Sequence, residues 1–205
     1  MRVAVVGGTG DFGLALAQRL VAAGEDVVVG SRDAERARAK GAEVGAAGAA
    51  NEDAVRRVDL VVLATKAEAA LPTAESLAAA IGVTPVLSVA SELRFTKQGV
   101  LPTEDACSIA ERMAELLDAP VSAGLHSLAA ASLAAGPADG DAFVCGDDPE
   151  AKELALALAA KVVSGRALDA GPLASARALE GMTAVIVNLN RRYKGHAGVR
   201  VTGLP

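Results

Sequence analysis

Arg2-Val3-Ala4-Val5-Val6-Gly7-Gly8-Thr9-Gly10-Asp11-Phe12-Gly13 opens this chain with an apolar run that breaks into a glycine-rich turn. The periodicity then changes: Leu14, Ala17, Leu20 and Val21 recur at helical spacing, and Gly24 marks a stop. A second apolar run, Val27-Val28-Val29, follows at the distance expected of a βαβ unit and ends in Gly30-Ser31-Arg32. Strand, glycine turn, helix and strand in that order form a dinucleotide-binding unit. Gly8 and Gly10 allow a closeness to pyrophosphate that a Cβ would block, and Gly13 lets the helix pack tightly on the strand. The free amides at the helix start, in the stretch Gly8, Thr9, Gly10, Asp11, Phe12 and Gly13, face an anion.

The residues after the second strand select the cofactor. Enzymes that prefer NAD usually carry an acidic residue there, whereas this chain has Ser31-Arg32. A guanidinium forms a planar fork with phosphate oxygens, Ser31 adds a hydroxyl donor, and Arg36 in the next helical turn can face the same phosphate or the adenine ring. These residues also suit the solvated start of a helix. The expected cofactor is NADP(H), with Thr9 offering a hydroxyl near the 2′-phosphate or the diphosphate.

Beyond this unit, strand-like runs recur at residues 48–50, 59–64, 84–89, 121–125 and 142–145, separated mostly by alanine-rich helical patterns. Continuous apolar strands alternating with amphipathic helices predict a doubly wound parallel sheet, the Rossmann fold, covered on both faces. Pro85 opens a strand and Pro120 precedes one, positions where a missing amide is tolerated. After Gly146 the pattern becomes helical: Asp147-Asp148-Pro149-Glu150 reads as a helix start, Asp169-Ala170-Gly171-Pro172 as a turn, and a last helix runs from about Ala174 to Tyr193. The expected organisation is therefore a nucleotide-binding domain over 1–146 and a small C-terminal helical part over 147–205. That part completes the substrate cleft, and its last helix offers an apolar face to the core or to a second subunit.

Composition narrows the function classes. The 205 residues carry a net charge of -5 and are 52% apolar but only 2% aromatic, which disfavours a nucleic-acid surface. Cys107 and Cys145 stand far apart without metal-ligand or disulfide spacing, the pattern of reduced cytosolic thiols. The chain enters a strand at once, without a signal peptide, and no apolar run reaches the roughly 20 residues of a membrane span. A cytoplasmic protein acting on small molecules is expected.

Polar residues at the ends of later strands are candidate contacts on the nicotinamide side: Thr65 after the 59–64 run, Ser88 and Ser91 around the end of 84–89, and His126 after 121–125. Such positions also hold polar residues without function. No acid, base, nucleophile or metal cluster stands out, so no catalytic side chain and no metal ligand are assigned. Tyr193 is the only tyrosine and is followed directly by Lys194, so the Tyr-xxx-Lys pair of short-chain dehydrogenases is absent.

With these residues in view, the chain resembles the F420:NADP oxidoreductases, NADPH-dependent reductases of the deazaflavin coenzyme F420. The resemblance rests on Val6-Gly7-Gly8-Thr9-Gly10 with Gly13, Val29-Gly30-Ser31-Arg32, Gly146-Asp147-Asp148, Asp169-Ala170-Gly171-Pro172-Leu173 and the run Asn190 to Gly198. It implies reversible hydride transfer between nicotinamide C4 and deazaflavin C5, a cytosolic and commonly dimeric enzyme, and coenzyme F420 as second substrate. The chain departs from the family where a Pro-Trp pair often follows the fourth strand, reading Thr65-Lys66, and where Asn-Pro often follows the fifth, reading Ala90-Ser91. His126 matches a family histidine. A reductase of another small substrate and a non-catalytic NADPH-sensing module are the alternatives the same platform allows.

Overall fold

The computed structural model describes residues 1–204. In chain order the elements are β1 (Arg2–Val6), α1 (Asp11–Ala22), β2 (Asp26–Ser31), α2 (Ala34–Val44), β3 (Ala47–Ala50), α3 (Asn51–Ala54), β4 (Leu60–Leu63) and α4 (Ala67–Ile81). There follow β5 (Val86–Ser88), β6 (Leu93–Thr96), β7 (Gly99–Pro102), α5 (Ile109–Ala114), β8 (Val121–Gly124), α6 (Ala130–Ala135), β9 (Ala142–Gly146), α7 (Pro149–Val162), β10 (Ala167–Asp169) and α8 (Ala176–Tyr193).

Eight strands form one sheet in the order β10-β9-β8-β5-β4-β1-β2-β3, and β6 with β7 make a separate hairpin. The chain starts at β1, winds outward through β2 to β3, and then reverses to β4 on the other side of β1. That reversal is the switch point at which open α/β sheets bind ligands. Side chains alternate across the sheet: Val3 and Val5 of β1 face a core with Leu16, Leu20, Val62, Leu87 and Leu158, while Ala4 and Val6 face one with Leu63, Leu77, Ile109 and Met113. Both faces are thus buried, which explains why the strands read as unbroken apolar runs. The two prolines sit as expected, Pro85 just before β5 and Pro120 just before β8, each lending its carbonyl to a neighbouring strand.

Three features differ from the expectation. The sheet is not wholly parallel: β8 and β9 pair antiparallel, and β10 runs parallel to β9. The six-residue α6 rises only about 9 Å and docks on α1, so the chain returns to the sheet edge it left instead of crossing over. Second, the part after Gly146 is not only helical, because β10 extends the sheet and α7 joins the core on its α1 face. Third, the 93–102 hairpin was not anticipated. It packs against α8 through Asn188, whose side chain accepts from Val100 N–H at 2.9 Å and donates to Val100 C=O at 2.7 Å.

Candidate nucleotide and substrate site

The glycine turn is built by close approach. Gly7 has φ +79, and a Cβ there would lie 2.7 Å from the Ala64 carbonyl oxygen at the end of β4. A Cβ on Gly8 would lie 2.7 Å from the Val5 carbonyl oxygen, and one on Gly13 would lie 2.6 Å from that of Gly7. These three glycines let the turn fold back on β1 while α1 starts against it. Gly10 is different: its added Cβ would meet protein only at 3.4 Å, an ordinary contact. Gly10 is the exposed N-cap of α1 and has no side-chain cap, so the first amides of the helix point outward unpaired by any capping group. Thr9 and Phe12 are half-buried at the turn, Phe12 packing on the core, and Asp11 is exposed. Asp11 lines an outer groove together with Leu14, Gln18, Val44 and Ala134, and its backbone amide is the first of α1.

Ser31 ends β2 beside β1. Its hydroxyl accepts the Asp33 N–H at 3.3 Å and keeps its own proton free to donate. Asp33 in turn caps α2, accepting from the Glu35 and Arg36 amides at 3.0 Å each. The Asp33 carboxylate is therefore committed to the helix. Arg32 and Arg36 are exposed, and neither forms an ion pair among the described residues. Two guanidiniums and one hydroxyl thus border the end of β2.

Across the switch point, the polar side chains at the strand ends share a property. Asn51 Oδ1, Thr65 Oγ1, Ser88 Oγ and His126 Nδ1 are all buried without a hydrogen-bond partner. They follow or end β3, β4, β5 and β8, all at the carboxyl edge. Buried polar atoms are nearly always paired in folded proteins; besides these four at the carboxyl edge, Arg19 Nε on α1 and Ser122 Oγ within β8 are also unpartnered. Ser88 is fully buried and pairs in register with Leu63 of β4 and Ala123 of β8. His126 follows Leu125, which adopts a left-handed φ of 66 and turns the chain off the sheet. The His126 ring sets Nε2 3.2 Å from the Ala90 carbonyl. Burial pushes its pKa down to about 4, with the Ala90 bond pulling weakly the other way. The imidazole is therefore neutral at physiological pH, with Nε2 as the donor and Nδ1 as a free acceptor.

Three contributions went unforeseen. Gly7 has no role assigned from sequence, yet its positive φ and the close Ala64 carbonyl make a glycine obligatory there. Asn51 follows a weak strand and carries a detectable signal, an amide at a strand's carboxyl end; a Cβ on Gly30 would lie 3.0 Å from its Oδ1. Thr183 has no sequence signal, since it lies within α8, yet its hydroxyl lies 2.8 Å from Ser91 Oγ and donates to the His126 carbonyl at 3.1 Å. Ser91 and His126 are thereby joined through α8 on one side of the crevice.

A family described as NADP oxidoreductase, coenzyme F420-dependent, matches residues 2–92. The F420-dependent NADP reductase of Methanothermobacter marburgensis is 35% identical, covering 100% of both chains. That of Methanothermobacter thermautotrophicus is 34% identical, covering 100% of this chain and 96% of its own. Among solved structures, a protein of Arthrobacter sp. FB24, provisionally named an F420-dependent NADP reductase, superposes with a TM-score of 0.82 over 99% of each chain at 23% identity. That last likeness speaks for the fold. Identity of 35% and 34% over the whole of this chain to the two Methanothermobacter enzymes, together with the family match over residues 2–92, shows that this chain belongs to the family of F420-dependent NADP reductases.

Proposed function

We propose that the chain catalyses reversible hydride transfer between NADPH and the 8-hydroxy-5-deazaflavin of coenzyme F420. The observation that carries this reading is the row of unpartnered polar atoms, Asn51 Oδ1, Thr65 Oγ1, Ser88 Oγ and His126 Nδ1, crossing the switch point beside the uncapped start of α1. A dinucleotide laid along that edge places its diphosphate on the amides of Gly8 to Gly13, its 2′-phosphate at Ser31, Arg32 and Arg36, and its adenosine ribose at Asn51. Its nicotinamide half then lies toward Thr65 and Ser88, with the deazaflavin toward Ser88 and His126. The nicotinamide and the deazaflavin bring the electronics of the transfer, so the protein's task is to stack two rings with carbons roughly 3 to 3.5 Å apart and keep water out. His126 is neutral in that setting and acts as a hydrogen-bonding and shape contact.

Residues 1–146 serve as the NADP-binding domain and 147–205 complete the cleft. The enzyme works in the cytoplasm as a homodimer and does not bind nucleic acid. The free thiols of Cys107 and Cys145 suit a reducing compartment, and the net charge of -5 opposes a polyanion. No described helix is long and apolar enough to cross a membrane. Val185, Leu189 and Tyr193 form an exposed apolar stripe on α8, with Phe95 of the hairpin beside it under the Arg191 guanidinium; a second subunit would cover this face. Mixing purified protein with NADPH and oxidised coenzyme F420 tests the activity: loss of the deazaflavin absorbance is expected, and a stable absorbance overturns the reading.

A further inference from the structure

Between the hairpin and α8 lies a cavity of about 260 Å³, lined in part by Glu92, Thr103, Arg177, Glu180 and Gly181. It adjoins the turn after β5 that carries Ser91. Its wall contains a carboxylate that the hydride transfer does not use. Glu180 is 2% exposed, and its two oxygens accept the amides of Ile109 and Ala110 at 3.2 Å each. These are the first two amides of α5. The next two are satisfied within the helix start, Glu111 N–H by the Ser108 hydroxyl and Arg112 N–H by the Ser108 carbonyl. The amino end of α5 is thus fully paired only while Glu180 supplies both acceptors.

The position of Glu180 on α8 ties this contact to the substrate side. Arg177 and Thr183 lie three residues before and after it, on the same helix face. Arg177 Nε donates to the Asp105 carbonyl at 2.8 Å, and Thr183 bonds Ser91 and the His126 carbonyl. Arg112 of α5 reaches Glu92 at 2.6 Å and Asp105 at 3.4 Å. The α5–α8 contact therefore anchors the helix whose Thr183 holds Ser91 and the His126 carbonyl.

Resting on the proposed deazaflavin activity, we infer that Glu180 is a positioning residue for the second substrate: its carboxylate latches α8 to the amino end of α5 and opens when it takes up a proton. The ionised carboxylate accepts both amides strongly, whereas the protonated acid keeps only a weak acceptor at its hydroxyl oxygen, so one of the two bonds loosens. Burial raises the Glu180 pKa to about 7, against the two amide bonds and Arg112, which lower it, and with Glu92, which raises it. The other groups facing it are Asp105 beyond Arg112, Glu111, which is held by Ser108, Arg177 on α8 itself, and Cys145 of β9, whose thiol burial raises to about 11. The latch is closed above neutrality and open below it.

The test compares wild type with Glu180→Gln, whose amide supplies one acceptor and no charge. KM for coenzyme F420 and kcat are measured from pH 6 to pH 8, with NADPH affinity read separately by direct binding. The ionised fraction of a group titrating at pH 7 changes about ten-fold over that range, so wild-type KM should fall about ten-fold as pH rises while NADPH affinity holds. In Glu180→Gln, KM should stay high with less than about two-fold extra change. Titration of the substrate's own hydroxyl is common to both proteins and drops out of the comparison. Hydrogen exchange of wild type reads the latch without turnover: protection at Ile109 and Ala110, corrected for intrinsic rates, should drop below pH 7. A KM with the same pH profile in both proteins, or pH-independent protection at those amides, overturns the latch alone. No reduction of coenzyme F420 at any pH overturns the proposed activity together with its positioning role.

Discussion

Arg32 is the residue on which cofactor choice turns. It is exposed, free of ion pairs among the described residues, and placed at the end of β2 where an acid would instead bind a ribose diol. Losing a charged hydrogen bond costs roughly 1.5 to 3 kcal/mol, so Arg32→Ala should weaken NADPH binding by about ten- to a hundred-fold and leave NADH nearly unchanged; equal wild-type affinity for both would refute the assignment. His126 gives a pH prediction. Its folded pKa, about 4, lies below the usual 6.5 because burial disfavours the cation. Below pH 6.5 the unfolded chain binds a proton that the folded chain refuses, so His126 costs stability progressively as pH falls from 6.5 to 4. A shift of that size corresponds to about 3 kcal/mol. His126→Gln should remove this acid-side loss relative to wild type in urea melts at a series of pH values, and parallel melts would contradict it. Glu180 has the opposite sign, its raised pKa gaining stability over much of the same range, so only the difference between the two proteins isolates His126. Arg32 and His126 were readable in the sequence because both sit at strand ends. Thr183 was not, because a threonine inside a helix looks the same whether it faces solvent or joins two loops.

Elements were legible where their pattern was long and apolar. β1 covers the opening apolar run Arg2–Val6, and β2 contains the Val27-Val28-Val29 run and continues to Ser31. The hairpin escaped because its strands are four residues each, mostly exposed, and broken by Lys97-Gln98 and Pro102. The direction of β9 is not encoded in periodicity, and only the shortness of α6 hinted at it. The tail run Asn190 to Gly198, noticed as a family feature, has a structural role. Lys194 turns α8 off in a left-handed conformation with φ 53, and Asn190 accepts the Ala197 amide. A Cβ on Gly198 would collide with the Asp139 carbonyl. Asp141 then fastens the returning chain, accepting the Val201 and Arg166 amides at 2.8 Å each. Those two amides, ahead of the Arg166 guanidinium, hold its pKa down to about 2. The contribution of this carboxylate is present above its ordinary pKa and lost as pH falls toward 2. Asp141→Asn should loosen the tail, so that trypsin cleaves after Arg200 faster than in wild type by mass spectrometry. Unchanged cleavage would mean that the tail is held elsewhere.

At the scale of the molecule, a doubly wound sheet brings residues 7–13, 31–36, 51, 65, 88 and 126 to one edge, although they span more than half the chain. The sequence pattern predicted that edge through the order of strands and helices, but the adjacency of β4, β5 and β8 needed the sheet itself. The exposed α8 stripe predicts association: Leu189→Glu, which puts a charge on that face, should convert a dimer to a monomer in light scattering, with the NADPH affinity of each chain unchanged. A wild type that is monomeric at high concentration would remove the stripe's proposed role. The central claim is that the protein works by juxtaposition, passing hydride from ring to ring without a side-chain intermediary. The most direct measurement uses NADPH deuterated on one face of C4 with oxidised coenzyme F420 in ordinary water, followed by NMR of the reduced deazaflavin. Deuterium is expected at C5 from one of the two C4-labelled forms and not the other; deuterium washed into solvent from both would contradict direct ring-to-ring transfer.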